Sequence, residues 1–203
     1  MFANTLLATV HILCTQLTLF LLQNKKDMFK YAGILFRSIR NETKEPVYLL
    51  GREATVPGWS ESGRWSDFGG SPKDSFELFL DTMAREATEE LMGILGCTLT
   101  VKEQLKQCST VHILKGGQVF MAVLEVPYDA LVTVHYNNVY KHLTKCMTDH
   151  PTWKGFRHIS SCPEGYCEKV ELGWFTAKDI LENKDQMRPA FYESFCTIHG
   201  LNK

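Results

Sequence analysis

The chain has 203 residues, 44% of them hydrophobic, and a formal net charge of −1 at pH 7. That length and apolar share suit one domain with a full core and exclude wholesale disorder. The near-neutral balance supplies no basic footprint for broad nucleic-acid binding, and an odd count of seven cysteines fits a reduced intracellular setting better than a secreted disulfide scaffold.

Residues 1–23 contain no Asp, Glu, Lys or Arg. The run is long enough to cross a bilayer, yet Asn4, Thr5, Thr9, His11, Thr15, Gln16 and Thr18 dilute it. It lacks the basic start and small-residue cleavage site of a signal peptide. Two readings stay open. Residues 1–23 anchor the protein in a membrane, with Lys25, Lys26 and Lys30 keeping the following domain on the cytosolic side. Alternatively they form a dispensable amphipathic helix, or precede a start at Met28. Either way the chain divides into an apolar segment over 1–28 and a domain over 29–203, and that domain is cytoplasmic.

From Lys30 the pattern changes. Tyr31–Arg37 reads as a buried strand, a polar turn covers Arg40–Glu45, and Pro46–Arg52 reads as a second strand. Thr55–Gly63 is a loop with Pro57, Gly58 and Gly63. Trp65–Phe68 is short and extended, and leads to Gly69 and Gly70. Glycines there allow a sharp turn and a close approach of the backbone to a ligand.

The stretch from Gly69 to Gly93, GGSPKDSFELFLDTMAREATEELMG, organises the rest. Phe76, Phe79, Leu80, Met83, Ala87 and Leu91 follow helical spacing on one face. Glu86, Glu89 and Glu90 fall at i, i+3 and i+4 on another, so their carboxylates crowd together. Oxygen-only clusters of this kind suit a hard divalent cation, Mg²⁺ or Mn²⁺. Arg85 is placed to orient a carboxylate through a charge-assisted fork, with Glu77 as its natural partner.

Downstream, Thr100–Gln107 reads as a short helix with Thr100 and Glu103 in capping-box spacing, or Cys97–Val101 as a strand; both stay open. Ser109–Leu114 and Gln118–Val126 form a hairpin turned at Lys115-Gly116-Gly117. Asp129 caps a helix over about Leu131–Met147, an insertion near 129–150. Its Tyr136, Asn137, Asn138, Tyr140, Lys141, His142 and Lys145 could stack a base and hold phosphates, or form a solvated face. His150–Gly165 is a loop. Cys162 and Cys167 within and beside it, near His158, lack the second ligand pair of a zinc site and read as free thiols. His112, His135, His142 and His158 show no metal-ligand spacing. Glu168–Phe175 alternates as a strand, Thr176–Leu181 is a short helix, and Pro189–His199 is the last helix.

The central stretch resembles the Nudix box, G-x5-E-x7-R-E-U-x-E-E-x-G-U, where U is aliphatic. Glu77, Arg85, Glu86, Glu89 and Glu90 match in register. Gly70 precedes Glu77 by one residue too many, and Met92 holds the late glycine position with Gly93 one step beyond. The resemblance spans about Lys30 to Asn183. It implies an α/β fold, a Nudix-type α/β/α sandwich around a mixed β-sheet. It also implies a divalent-metal-dependent hydrolase that cleaves a pyrophosphate linkage in a nucleoside diphosphate derivative. Glu86, Glu89 and Glu90 would be the metal ligands, with the Gly69 carbonyl as a further one. Arg85, Glu86 and Glu77 would be the catalytic set, Glu86 doubling as general base with Glu125 and Glu168 as alternatives. The substrate would be a nucleotide or other small pyrophosphate compound, with capped RNA as an alternative. Substrate-binding residues are not assigned. A mRNA-decapping enzyme and a non-catalytic nucleotide-binding module are the competing functions.

Overall fold

The computed structural model describes residues 29–149 and 167–201. The expectations for residues 1–28 and for the loop at 150–165, His158 and Cys162 included, lie outside the described residues. Among those described, no helix is long and apolar enough to cross a membrane.

A seven-stranded mixed sheet carries the fold. Strand β1 (Tyr31–Ile39) is its spine. It pairs in parallel with β6 (Val119–Glu125) from Tyr31 to Arg37. On its other edge it pairs antiparallel with two strands in turn. Phe36–Ile39 meet β2 (Pro46–Glu53), and Ala32–Ile34 meet β4 (Phe68–Gly70). Strand β3 (Trp65–Ser66) pairs with the far end of β2, so the chain from Trp65 to Gly70 fills the opening where β1 and β2 part. The outer strands are β5 (Ser109–Leu114), in a hairpin with β6, and β7 (Lys169–Thr176), antiparallel to β2.

Both sheet faces are covered, which is why YAGILF reads as one unbroken apolar run. Ala32, Ile34, Phe36 and Leu49 pack against Phe79, Leu80, Met83, Ala84 and Ala87 of α1 (Phe79–Glu90), Val101 and Leu105 of α2 (Thr98–Cys108), and Val132 and Tyr136 of α3 (Leu131–Asp149). Leu35, Tyr48, Leu50 and Met121 pack on the other face against Ile180 of α4 (Ala177–Glu182) and Phe191 and Phe195 of α5 (Pro189–Ile198). This is the α/β/α sandwich around a mixed sheet that the sequence suggested.

Several local expectations change. Helix α1 begins at Phe79, so Glu77 stands in the loop before it. Phe76 is 86% exposed and is not part of the apolar face. The stretch after Cys97 is helical from Thr98, which settles that choice. Its N-terminus makes no Thr100–Glu103 capping box. The capping box forms instead at α4, between Thr176 and Asp179. At the end of α1, Met92 takes a positive φ of 52° and Gly93 one of 72°. The Met92 amide donates to Glu89 O and the Gly93 amide to Thr88 O, the paired bonds of a Schellman ending. The left-handed position normally given to glycine is therefore filled by Met92.

Helix α3 is part of the core rather than an appended binding face at Tyr136 and Asn137. Tyr136 is fully buried, and its hydroxyl lies 2.9 Å from Glu90 O and 2.7 Å from Lys169 O. Asn137 clasps the backbone of Leu172 through both ends of its amide.

Candidate active site

Arg85 is the hub. Its Nε and Nη2 donate to the two oxygens of Glu77 at 2.7 and 3.1 Å, the bidentate fork expected from the sequence. Its Nη1 donates to Glu86 Oε1 at 2.7 Å and to Glu89 Oε2 at 3.0 Å. Nη2 also reaches Ser71 O at 3.1 Å. One guanidinium thus sets three carboxylates and the loop before the helix. The loop is braced independently. Asp74 Oδ1 accepts from the amides of Phe76 and Glu77, and Glu77 Oε2 accepts from the Lys73 amide at 2.6 Å. Lys73 Nζ lies 3.2 Å from Glu89 Oε1 at the solvent edge.

The electrostatics follow from this geometry. Burial pushes the Glu77 carboxyl up, but the Arg85 fork and the Lys73 amide outweigh it and hold Glu77 below the ordinary range. Glu86 goes the other way. Burial raises it, Arg85 opposes, and the charges of Glu89 and Glu168 add to the rise. Burial would lower Arg85, yet its three carboxylate partners hold it above its ordinary value.

The glycine pair works through close approach, not through a turn. Gly69 and Gly70 lie in strand β4, and neither has a positive φ. A Cβ on Gly70 would stand 2.4 Å from Glu86 Oε1. One on Gly69 would stand 2.4 Å from Gly33 Cα and 2.6 Å from Ala32 O. The sheet backbone is therefore pressed against β1 on one side and against the Glu86 carboxylate on the other. At Gly69 the amide is engaged: it donates to Glu90 Oε2 at 3.0 Å.

Glu90 departs from the expected shared face. It is 3% exposed, and its Oε1 lies 3.1 Å from the ammonium of Lys169, which is itself fully buried. That ammonium also donates to Glu53 Oε1 at 2.5 Å and Ser66 Oγ at 2.8 Å. Arg188 Nη1 reaches the same Glu53 oxygen at 3.2 Å, while its Nη2 lies 2.9 Å from Glu61 Oε2. Burial pushes Glu90 up to about 8, against the pull of Lys169 and with the help of Glu53 and Glu86. Burial would lower Lys169, but the carboxylates of Glu90 and Glu53 keep it raised. The sequence pointed to neither Lys169 nor Glu53, because charged residues in strands default to the solvent face. Of the alternative bases, Glu125 pairs with Arg37 at the opposite end of β1 from Gly70. Glu168 is exposed, and its charge is felt at Glu86.

Among the described residues no three His, Cys, Asp or Glu side chains close around a common point as a finished metal cage. Glu86 and Glu89 nevertheless share one nitrogen of Arg85 beside Gly70. This hard, all-oxygen pair suits an ion that keeps waters or substrate oxygens as its other ligands, as Mg²⁺ does.

No family model matches this chain, and no curated protein matches it. Several solved structures resemble it. A mutT/nudix family protein from Listeria innocua matches with 13% identity and a TM-score of 0.45, over 86% of this chain and 92% of that one. An Ap4A hydrolase of C. elegans, solved as a binary complex, matches with 15% identity and a TM-score of 0.43, over 84% and 96%. A bifunctional NMN adenylyltransferase/ADP ribose pyrophosphatase from Francisella tularensis, complexed with AMP and a Mn ion, matches with 14% identity and a TM-score of 0.44, over 85% of this chain and 42% of that one.

Proposed function

We propose that this protein is a divalent-metal-dependent pyrophosphohydrolase acting on a nucleoside diphosphate derivative. The observation that carries the reading is the Arg85 hub, with Glu77 held in a fork and Glu86 and Glu89 gathered on one nitrogen against the Gly70 backbone. A structural ion pair needs one partner. Three carboxylates brought to one guanidinium leave a surplus of negative charge, and such a surplus calls for a further cation.

Glu86 and Glu89 are the residues that would hold Mg²⁺ or Mn²⁺. Bound there, the ion would offset the negative charge of the pyrophosphate oxygens and polarise the phosphorus. Arg85 and Glu77 are positioning residues that fix the carboxylates. Glu86 accepts the proton of the attacking water.

A nucleotide-binding module without turnover is the second reading, favoured by the engagement of Glu90 with Lys169. One experiment separates the two. Phosphate release is followed over a panel of pyrophosphate compounds, capped RNA included, with Mg²⁺ and with Mn²⁺. The hydrolase reading expects turnover of at least one compound and a loss of about 10²-fold or more in Glu89→Gln. Binding without turnover across the panel, or unaltered kinetics in Glu89→Gln, would reject it.

A further inference from the structure

The buried ammonium of Lys169 has three oxygen neighbours drawn from three strands or helices: Glu53 at the end of β2, Ser66 on β3 and Glu90 on α1. Its placement is built, not incidental. Along β2 and β7, Arg52 faces Glu171, but Glu53 faces Lys169, so Val170 is skipped. This β-bulge brings Lys169 into register with Glu53 and turns it inward where plain alternation would have presented Val170. The lysine stem lies over Gly51, where a Cβ would come within 2.8 Å of its Cγ and Cδ. Tyr136 then ties the two residues together a second time, through the carbonyls of Glu90 and Lys169.

Hard oxygens around a small cation are also what a divalent ion takes. Resting on the hydrolase reading above, we infer that Lys169 is a resident cation at the inner end of the site. It engages Glu90, so that the free protein binds one divalent ion at Glu86 and Glu89 rather than two. The charge count agrees. In the outer group Glu77, Glu86 and Glu89 face Arg85, leaving two formal negative charges, one divalent ion's worth, with the half-exposed Lys73 at its edge. The inner ion pairs set Lys169 and Arg188 against Glu53, Glu61 and Glu90, which leaves one formal negative charge and not a second divalent ion's worth. Lys169 is a positioning residue: it sets what Glu90 can do and touches no substrate.

The test is the Mn²⁺ stoichiometry of the metal-free full chain, read by the spin-resonance signal of unbound Mn²⁺ and by calorimetry, without substrate. The wild type is expected to bind one ion per chain. Lys169→Met, and Lys169→Met with Glu53→Gln to limit unpaired charge, are expected to bind two. Should either variant unfold when metal-free, added Mn²⁺ should restore its circular dichroism by standing in for the ammonium. One ion in both wild type and variants, two ions in the wild type, or unfolded variants that Mn²⁺ does not restore would each overturn the inference. A wild type that binds no Mn²⁺ would overturn the metal-dependent hydrolase reading itself, and this inference with it.

Discussion

Replacing Arg85 by lysine keeps the charge and removes the shape. The guanidinium makes five hydrogen bonds: two to Glu77, one each to Glu86 and Glu89, and one to Ser71 O. A lysine ammonium offers three donors at a single point and cannot span Glu77 and the Glu86–Glu89 pair together. The fork to Glu77 is the contact most readily lost. Hydrogen bonds to charged groups contribute about 1.5–3 kcal/mol each, but water can partly replace a partner here, since these side chains are 13–16% exposed. A net destabilisation of about 2–3 kcal/mol follows, read as a lower urea midpoint at unchanged slope. Freed from the hub, Glu86 and Glu89 shift by a fraction of their own length. A displacement of about 1 Å can lower a rate by about 10²-fold, equivalent to about 2.7 kcal/mol in the barrier. The assay is phosphate release in Mg²⁺, with Glu77→Gln and the double variant completing a cycle. Coupling between Arg85 and Glu77 should be about 1–3 kcal/mol. A wild-type rate, with a midpoint shift worth less than about 0.5 kcal/mol, would refute the hub.

Two further outcomes test the geometry from other sides. The folded pKa of Glu90, about 8, lies above its ordinary value of 4.5, so its contribution to stability is complete below the ordinary value and is lost as pH rises toward and through 8. Glu90→Gln should therefore flatten the decline in unfolding free energy over that window, measured by urea melts at successive pH; equal slopes would show that Glu90 does not titrate there. The two glycines should separate fold from site. Gly69→Ala drives a Cβ into backbone atoms of Ala32 and Gly33 and should destabilise by about 3 kcal/mol or more. Gly70→Ala meets only the movable end of Glu86, so stability should change by about 1 kcal/mol or less while Mn²⁺ affinity falls about 10-fold. Equal melting temperatures for the two variants would contradict this division.

What the sequence disclosed and what it withheld divide along one physical line. Local patterns were legible. The apolar runs of β1 and β2, the hairpin around Lys115–Gly117 and the spacing of Glu77, Arg85, Glu86 and Glu89 each act over a few residues and need no knowledge of distant chain. Phe76 was misread because helical periodicity continues through it, while Asp74, accepting from two successive amides, forms a turn that ends before the helix starts. The burial of Glu90 escaped the sequence for a different reason. At i+4 from Glu86 it belongs to the same helical face, and only contact with β7, far along the chain, decides that its oxygens turn to Lys169. That contact depends on a bulge, and a bulge breaks the alternation from which a strand's inward face is read. The buried lysine and the inward turn of Glu90 are thus one event seen from two elements. Helix α1 supplies carboxylates at fixed spacing, and the sheet decides which of them meets a buried ammonium.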